Sequence, residues 1–406
     1  MLNRFLFQLN RYAKIFFSKP YKTLNWIEIS ESAVLRNMDL FQKLNPNKSI
    51  FPVLKSNGYG YGIEQFCIIF GDNSRNNGKT KYEYLAVDSY FEALTIAQHL
   101  PKQLVLVMGY IDPDNFQNIQ TKNLAFVVGD IDTITKLGQT KRNFTIHLEI
   151  NTGMNRYGIR PVELQEILDL IKTYPNLYLE GIMNHLANSD SNDNGFNELQ
   201  VGIFDQCIEQ SKDLHKLKYI HTQQSSGSVT ATSKYGNTLR VGGITTGFNN
   251  ISPSHPRYHQ HQFLEAPLEY KSTITKVIHL KKNESVGYDC SFVAIEDMVI
   301  GVLPIGYYDG IKRILGNNGV VKYVAGQDYF LPIVGRICMN IMMIRLDKDS
   351  QNNLISTLPQ LGNQVILFSK KPQDPNSLLQ LEKQTNIYRL EWLVNIPNTV
   401  RRIIVD

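Results

Sequence analysis

Between residues 51 and 243 the chain repeats one alternation eight times: a short apolar run suited to a buried strand, then a turn, often followed by a segment of helical period. The runs are FPVLK (51–55), YLAV (84–87), LVLVMG (104–109), AFVVG (125–129), TIHLEI (145–150), LEGIMNH (179–185), YIHTQ (219–223) and LRVGG (239–243). Between them YFEALTIAQHL, PVELQEILDLIKTY and NELQVGIFDQCIEQSKDLHKL repeat apolar residues at helical spacing. Eight strands separated by helices predict a (β/α)8 TIM-type barrel, with a doubly wound open sheet as the alternative. The Asn-rich stretches GDNSRNNGKT and NSDSNDNG read as surface loops.

The pattern changes near Pro267. KSTITKVIHL, MVIGVLPIGY, GVVKYVAG and YFLPIVGRICMNIMMIRL are short alternating runs with turn residues between them, the signature of a mostly β domain. The expected division is an N-terminal extension (1–23), a barrel (24–266) and a C-terminal β domain (267–406). The strand LNWIEIS (24–30) has no helix before it and suits pairing with either domain. In the extension, Leu2, Phe5, Leu6, Leu9, Ala13 and Phe16 share one helical face, and no acid precedes Glu28. Charges at Arg4, Arg11 and Lys14 interrupt it too often for a membrane span or a secretory segment. It suits a helix docked on the protein's own surface, a membrane contact of residues 1–18, or an organelle transit segment.

Composition narrows the functional classes. The net charge of +5 comes from 42 basic against 37 acidic residues, and no basic block recurs, which argues against a nucleic-acid partner. Cys67, Cys207, Cys290 and Cys338 are scattered without a CxxC pair, as suits a reducing, cytoplasmic compartment. The histidines show no metal-ligand spacing, and the dense HPRYHQH (255–261) reads as a loop, so no metal site is expected.

A barrel places its active site where strands end and βα loops begin. Lys55 stands there, between the apolar FPVL and the glycine-rich SNGYGYG. A surface lysine at a strand end is the ordinary explanation; an amine that condenses with an aldehyde is the chemical one. His185 closes the sixth run, Gln224 and Ser225 follow the seventh, and Arg240, Gly242 and Gly243 lie at the eighth. The loops QSSGS and RVGGITTG offer hydroxyls and backbone N–H groups able to cradle an anion. A reactive amine facing a phosphate cradle is what a phosphorylated aldehyde cofactor needs.

These motifs resemble those of alanine racemases, a family of fold-type III enzymes dependent on pyridoxal 5'-phosphate (PLP). VLKSNGYGYG is similar to the family's cofactor-lysine motif, LEINTGMNRYGI to the segment with a substrate-contacting arginine, and GIMNHLANSD to that with a ring-stacking histidine. RVGGITTG, SVGYDCSF, LPIGYYDG and VGRICMNIMM follow in family order. The resemblance covers about residues 24–406. It implies racemisation of L- and D-alanine by two bases, supplying D-alanine for peptidoglycan. Lys55 would hold PLP and act on one face of the substrate, and Tyr288 on the other. Tyr59, Ser225, Gly242 and Gly243 would bind the phosphate, Arg240 would face the pyridine nitrogen, and His185 would stack on the ring. Arg156 would contact the substrate carboxylate, Met339 would hold the substrate by its backbone, and Tyr307 would narrow the entrance. In the family Tyr288 and Met339 serve the partner's site, which implies a homodimer. An ordinary phenol titrates near 10, so a tyrosine base needs cations nearby, for which His185 and Arg156 are candidates.

The sequence departs from the family at four places. Glu149 replaces a lysine that is often carbamylated, and a carboxylate there is suited to orient Arg156 directly. Gln224 stands for asparagine, Asn340 for aspartate, and Asn398 for a phosphate-binding tyrosine. The 249–262 loop has no counterpart in the family pattern. Three other readings compete with the racemase: a broad-specificity racemase, a related barrel decarboxylase, and a degenerate PLP-binding homologue or carrier. Decarboxylases of this architecture add a cysteine and acidic contacts in the β domain. Small carriers lack that domain altogether.

Overall fold

The computed structural model describes residues 22–71 and 80–406. The expected N-terminal helix and most of the loop GDNSRNNGKT lie outside the described residues. The chain packs as two compact units. One comprises residues 28–269, 368–398 and 402–406, and the other residues 22–27, 270–367 and 399–401.

The first unit is the barrel. Its strands are β2 (Ser49–Pro52), β3 (Tyr84–Val87), β4 (Leu104–Val107), β5 (Leu124–Val128), β6 (Phe144–Glu149), β7 (Leu177–Met183), β8 (Tyr219–His221), β9 (Gln223–Gln224) and β10 (Thr238–Val241). Parallel pairing runs without a break from β3 to β8, and β10 pairs with both β9 and β2. A parallel bridge from Val53 to Ala86 joins β2 to β3, and only Thr222 separates β8 from β9, so the ring closes. Every run expected to be a strand is one, and the barrel rather than the open sheet is what forms. Near-continuous apolar runs such as LVLV and YLAV fit strands covered on both faces.

Helices between the strands start where capping chemistry places them. Ser89 accepts from the backbone of Glu92, and Glu92 returns a bond to Ser89, opening the helix Tyr90–His99. Asp130 accepts from Thr133 N–H ahead of Ile131–Gln139. In Glu31–Leu44 the residues Ala33, Val34, Asn37, Met38 and Phe41 form one buried stripe. Among the described residues no helix is long and apolar enough to cross a membrane.

The second unit contains most of a nine-stranded sheet of order β12-β15-β18-β17-β16-β19-β11-β1-β20, antiparallel from β12 to β19. These strands are β1 (Asn25–Ser30), β11 (Leu268–Thr273), β12 (Lys276–Leu280), β15 (Met298–Leu303), β16 (Val320–Ala325), β17 (Gln327–Val334), β18 (Met342–Arg345), β19 (Gln364–Phe368) and β20 (Arg401–Val405). The early strand β1 thus joins this sheet and not the barrel ring. A small hairpin, β13 (Ser285–Val286) with β14 (Phe292–Val293), packs Val286 and Phe292 into a core with Met298, Ile300, Val334 and Met343. The helices Leu378–Thr385 and Arg389–Val394 group with the barrel unit.

Candidate active site

Eight of the candidate residues, Lys55, Tyr59, Arg156, His185, Ser225, Arg240, Gly242 and Gly243, line one cavity of about 510 Å3 at the strand C-termini of the barrel. Lys55 opens an unusual turn. Ser56, Asn57, Gly58 and Tyr59 all have φ between 53° and 60°, a left-handed stretch that costs an ordinary residue roughly 1–2 kcal/mol. Side-chain bonds hold it: Asn57 N–H donates to Glu92, Asn57 Oδ1 accepts from Ile63 N–H, and Asn57 Nδ2 donates to Asn398 Oδ1 at 2.6 Å. Asn398 therefore braces the lysine turn. The turn sets Lys55 and Tyr59 on the same cavity wall, and the Lys55 amine has no hydrogen-bond or ion-pair partner among the described residues.

Across the cavity β10 pairs with β2 and β9, placing Arg240 beside Phe51 and Gln224. Ser225 Oγ accepts from Gly242 N–H at 3.1 Å, and a Cβ on Gly242 would overlap the Tyr59 hydroxyl. Tyr59 O–H, Ser225 Oγ and the Gly242 backbone so converge at one spot, with burial pushing the Tyr59 phenol up and keeping it a neutral donor. Gln224 donates to Leu186 O and to Ser189 Oγ, bringing the loop after β7 against the same wall. That Asn-rich loop is not merely surface, because Asn188, Ser189 and Asp190 line the cavity.

The floor is polar. Arg240, buried, donates from Nη1 to His221 O at 2.5 Å and to His221 Nδ1 at 3.0 Å, and from Nη2 to Asn184 O at 2.7 Å. Burial lowers its pKa to about 10, opposed by Glu149, and it stays a cation at neutral pH. Since arginine only donates, His221 Nδ1 must accept and its proton sits on Nε2, 2.9 Å from His147 Nδ1. His147 Nε2 then faces Glu180 at 3.4 Å, and Tyr84 O–H donates to Glu180 at 2.7 Å. Burial pushes His147 and His221 down, so both are neutral. Burial acts to raise Glu180, but hydrogen bonds from His147 and Tyr84 bring it below the usual carboxylate range. This chain escaped the sequence reading. The one signal for it is that His147 and His221 sit inside apolar strands, where a titratable side chain needs a partner.

Two expectations change. His185 has its pKa lowered to about 3, first by burial and then by Arg240, Arg156 and Lys55, so it is a neutral ring and not a cation able to acidify a phenol. A neutral imidazole does suit stacking on a cofactor ring. Glu149 does not pair with Arg156: among the described residues no ion pair within 4.0 Å joins them, and burial pushes Glu149 up against the opposing fields of Arg240 and Arg156. Arg156 remains exposed at the mouth.

The other three candidates belong to the second unit. Tyr288 is 67% exposed at the tip of the β13–β14 hairpin, where Gly287, Asp289 and Cys290 have positive φ. Tyr307 and Met339 are also exposed. Tyr307 N–H donates to Cys338 O at 3.1 Å and Tyr308 N–H to Met339 O at 3.0 Å. An ion pair from Arg336 to Asp289 at 2.5 Å draws the hairpin tip to the same loop cluster. Residues separated in sequence thus share one end of the sheet. Met339, which on composition alone would be core, is at the surface.

Among the described residues no three His, Cys, Asp or Glu side chains gather to hold a metal. The donor set instead fits PLP: an unpaired amine, a hydroxyl and N–H cradle that a Cβ would fill, a buried guanidinium and a neutral imidazole in one cavity.

Comparison with known proteins agrees. The alanine racemase N-terminal domain profile matches residues 29–250 and the alanine racemase C-terminal domain profile residues 268–404. The chain belongs to the alanine racemase family. The family is PLP-dependent, and the activity is the interconversion of L-alanine and D-alanine. An alanine racemase of Staphylococcus saprophyticus is 27% identical over 394 residues, covering 95% of this chain and 96% of the relative. An alanine racemase structure from Clostridium difficile 630 superposes with a TM-score of 0.82 at 23% identity, covering 95% of this chain and 97% of that one. A Bartonella henselae alanine racemase with covalently bound pyridoxal phosphate gives a TM-score of 0.77 at 22% identity, covering 95% of this chain and all of that one.

Proposed function

We propose that the barrel cavity is the racemisation site and that Lys55 and Tyr288 are its two bases. The observation that carries this is the convergence of Lys55, Tyr59, His185, Ser225 and Arg240 on one cavity. When bound, PLP supplies the electron sink that makes the alanine Cα–H acidic. Lys55 would hold the cofactor, and its amine would move the Cα proton on one face. Tyr59, Ser225 and the Gly242–Gly243 backbone would hold its phosphate, and His185 would pack on its ring. Arg240 would face the ring nitrogen, and since a guanidinium cannot accept a proton the sink would stay moderate, favouring reprotonation over side reactions. Arg156 takes the substrate carboxylate.

Tyr288 moves the proton on the opposite face, Met339 holds the substrate by its backbone and Tyr307 narrows the entrance, all from a second copy of this chain. The exposed cluster of Tyr288, Tyr307, Tyr308 and Met339 supports such a homodimer. The barrel would thus be the cofactor domain and the C-terminal β domain the carrier of the second base. Four unpaired cysteines support a cytoplasmic location, where the product would feed peptidoglycan.

Incubation with PLP and L-alanine in D2O tests the reading. Deuterium at Cα should appear in step with D-alanine. Lys55→Ala should abolish both cofactor attachment and turnover. Tyr288→Phe should keep the cofactor and lose inversion, and unchanged racemisation from both enantiomers would remove Tyr288 from its role.

A further inference from the structure

A second cavity, of about 230 Å3, lies within the barrel unit behind the first. The 247–266 segment, including the unassigned 249–262 loop, forms one wall, and the helices Leu378–Thr385 and Arg389–Val394 contribute the other. Tyr61, Phe248 and Tyr258 supply rings and Leu264, Leu268 and Leu378 aliphatic surface. Among the described residues its charged lining is basic, Lys370 and Arg389, with no acidic side chain.

Most other polar groups around it are committed. Asn249 Nδ2 donates to Tyr258 O, Ser369 Oγ to Asp374, Ser377 Oγ to Pro372 O and Tyr61 O–H to Thr246 O. His261 is the exception. It is 1% exposed, its ring lies 4.8 Å from that of Phe41, and its Nε2 has no hydrogen-bond partner among the described residues. Such a buried nitrogen ordinarily finds one. Burial lowers its pKa to about 4, so it offers a hydrogen bond without a charge. Arg389 is held in place, its guanidinium 5.3 Å from the Phe248 ring centroid and its Nε 3.3 Å from Glu382.

Three segments form the partition between the cavities, each presenting a neighbouring residue to either side. Tyr59, Asn250 and Leu390 line the active-site cavity, and Tyr61, Asn249 and Arg389 line the second. The contact is close: a Cβ on Gly60 would overlap the carbonyl of Leu393.

We propose that the second cavity is an effector site for a small aromatic carboxylate. The ring lies among Tyr61, Phe248 and Tyr258, the carboxylate meets Arg389 and Lys370, and His261 Nε2 gains its missing partner. Occupancy shifts the three shared segments and so alters turnover. The second half rests on the first cavity being the racemisation site.

The probe is benzoate, with benzamide as its uncharged counterpart, titrated calorimetrically into the holoenzyme. Equilibrated racemic alanine at saturating concentration keeps Arg156 occupied. Benzoate should bind under these conditions at least tenfold more tightly than benzamide, and should change kcat without raising the KM for alanine. Arg389→Gln should weaken binding about tenfold. Leu379 also lines the cavity and is only half-buried, so Leu379→Trp should fill the cavity and abolish binding. Displacement of benzoate by alanine, or binding unchanged in both variants, would overturn the site; binding with unaltered kcat would overturn the coupling. Failure of the racemisation reading would show separately, as inactive enzyme before any benzoate is added.

Discussion

At position 242 a Cβ would overlap the hydroxyl of Tyr59, while the backbone N–H of the same residue donates to Ser225 Oγ. The glycine is needed for close approach and not for its φ, since it is the Tyr59 ring that must come in. Gly242→Ala should therefore displace Tyr59 and weaken PLP binding by at least about tenfold, roughly 1.4 kcal/mol. Overall stability should change little, because the strand pairing of Arg240 and Val241 with β2 is untouched. Absorbance titration of the apoenzyme with PLP reads the effect, and unchanged affinity would remove the phosphate cradle from this spot.

The barrel strands explain how a cation is held in their interior. Arg240 on β10, His221 on β8, His147 on β6 and Glu180 on β7 point inward and pass hydrogen bonds in one direction, ending on the only carboxylate of the four. Each imidazole tautomer is dictated by its neighbour, so the network is satisfied only as a whole. His221→Leu removes the middle acceptor and leaves Arg240 with the carbonyls of His221 and Asn184 and a longer contact, 3.5 Å, to His185 Nδ1. Loss of one partner from a buried charge costs about 3 kcal/mol, and the urea midpoint should fall accordingly. Tyr178→Ala, an exposed position on β7, should leave it within error. The eight strands were legible from period and apolar content, because a strand's burial depends on its own residues. The polar floor was not, because a histidine within an apolar run is indifferent to its partner until four strands close round it. The same limit applies at Lys55: its place at a strand end was readable, but the left-handed turn depends on Asn398, far along the chain. The 249–262 loop showed no role because its partners, the helices of residues 378–394, lie in what reads as a β segment.

For the whole molecule, acid lability follows from four histidines, His147, His185, His221 and His261, whose pKa values all lie below 6.5 chiefly because of burial. The unfolded chain takes up protons at these rings near 6.5, whereas the folded chain does so only further down, about 4 for His261 and about 3 for His185. Below 6.5 the unfolded state binds more protons, so stability is fully present above 6.5 and is lost as pH falls towards these lower values. Glu149 and Asp309 work the other way: burial raises them, so the folded state binds their protons first. Two groups against four leave the sign with the histidines. Carboxylates held low, such as Glu180, add their own loss only below about 4.5. The urea midpoint of the enzyme should therefore fall between pH 7.5 and pH 5.5. His261→Gln should flatten that dependence by close to one proton's worth, since His261 lines the second cavity and not the cofactor's. A midpoint that is flat or rises on acidification would mean that the buried rings take up protons in place, and the neutral polar floor derived above would then be wrong.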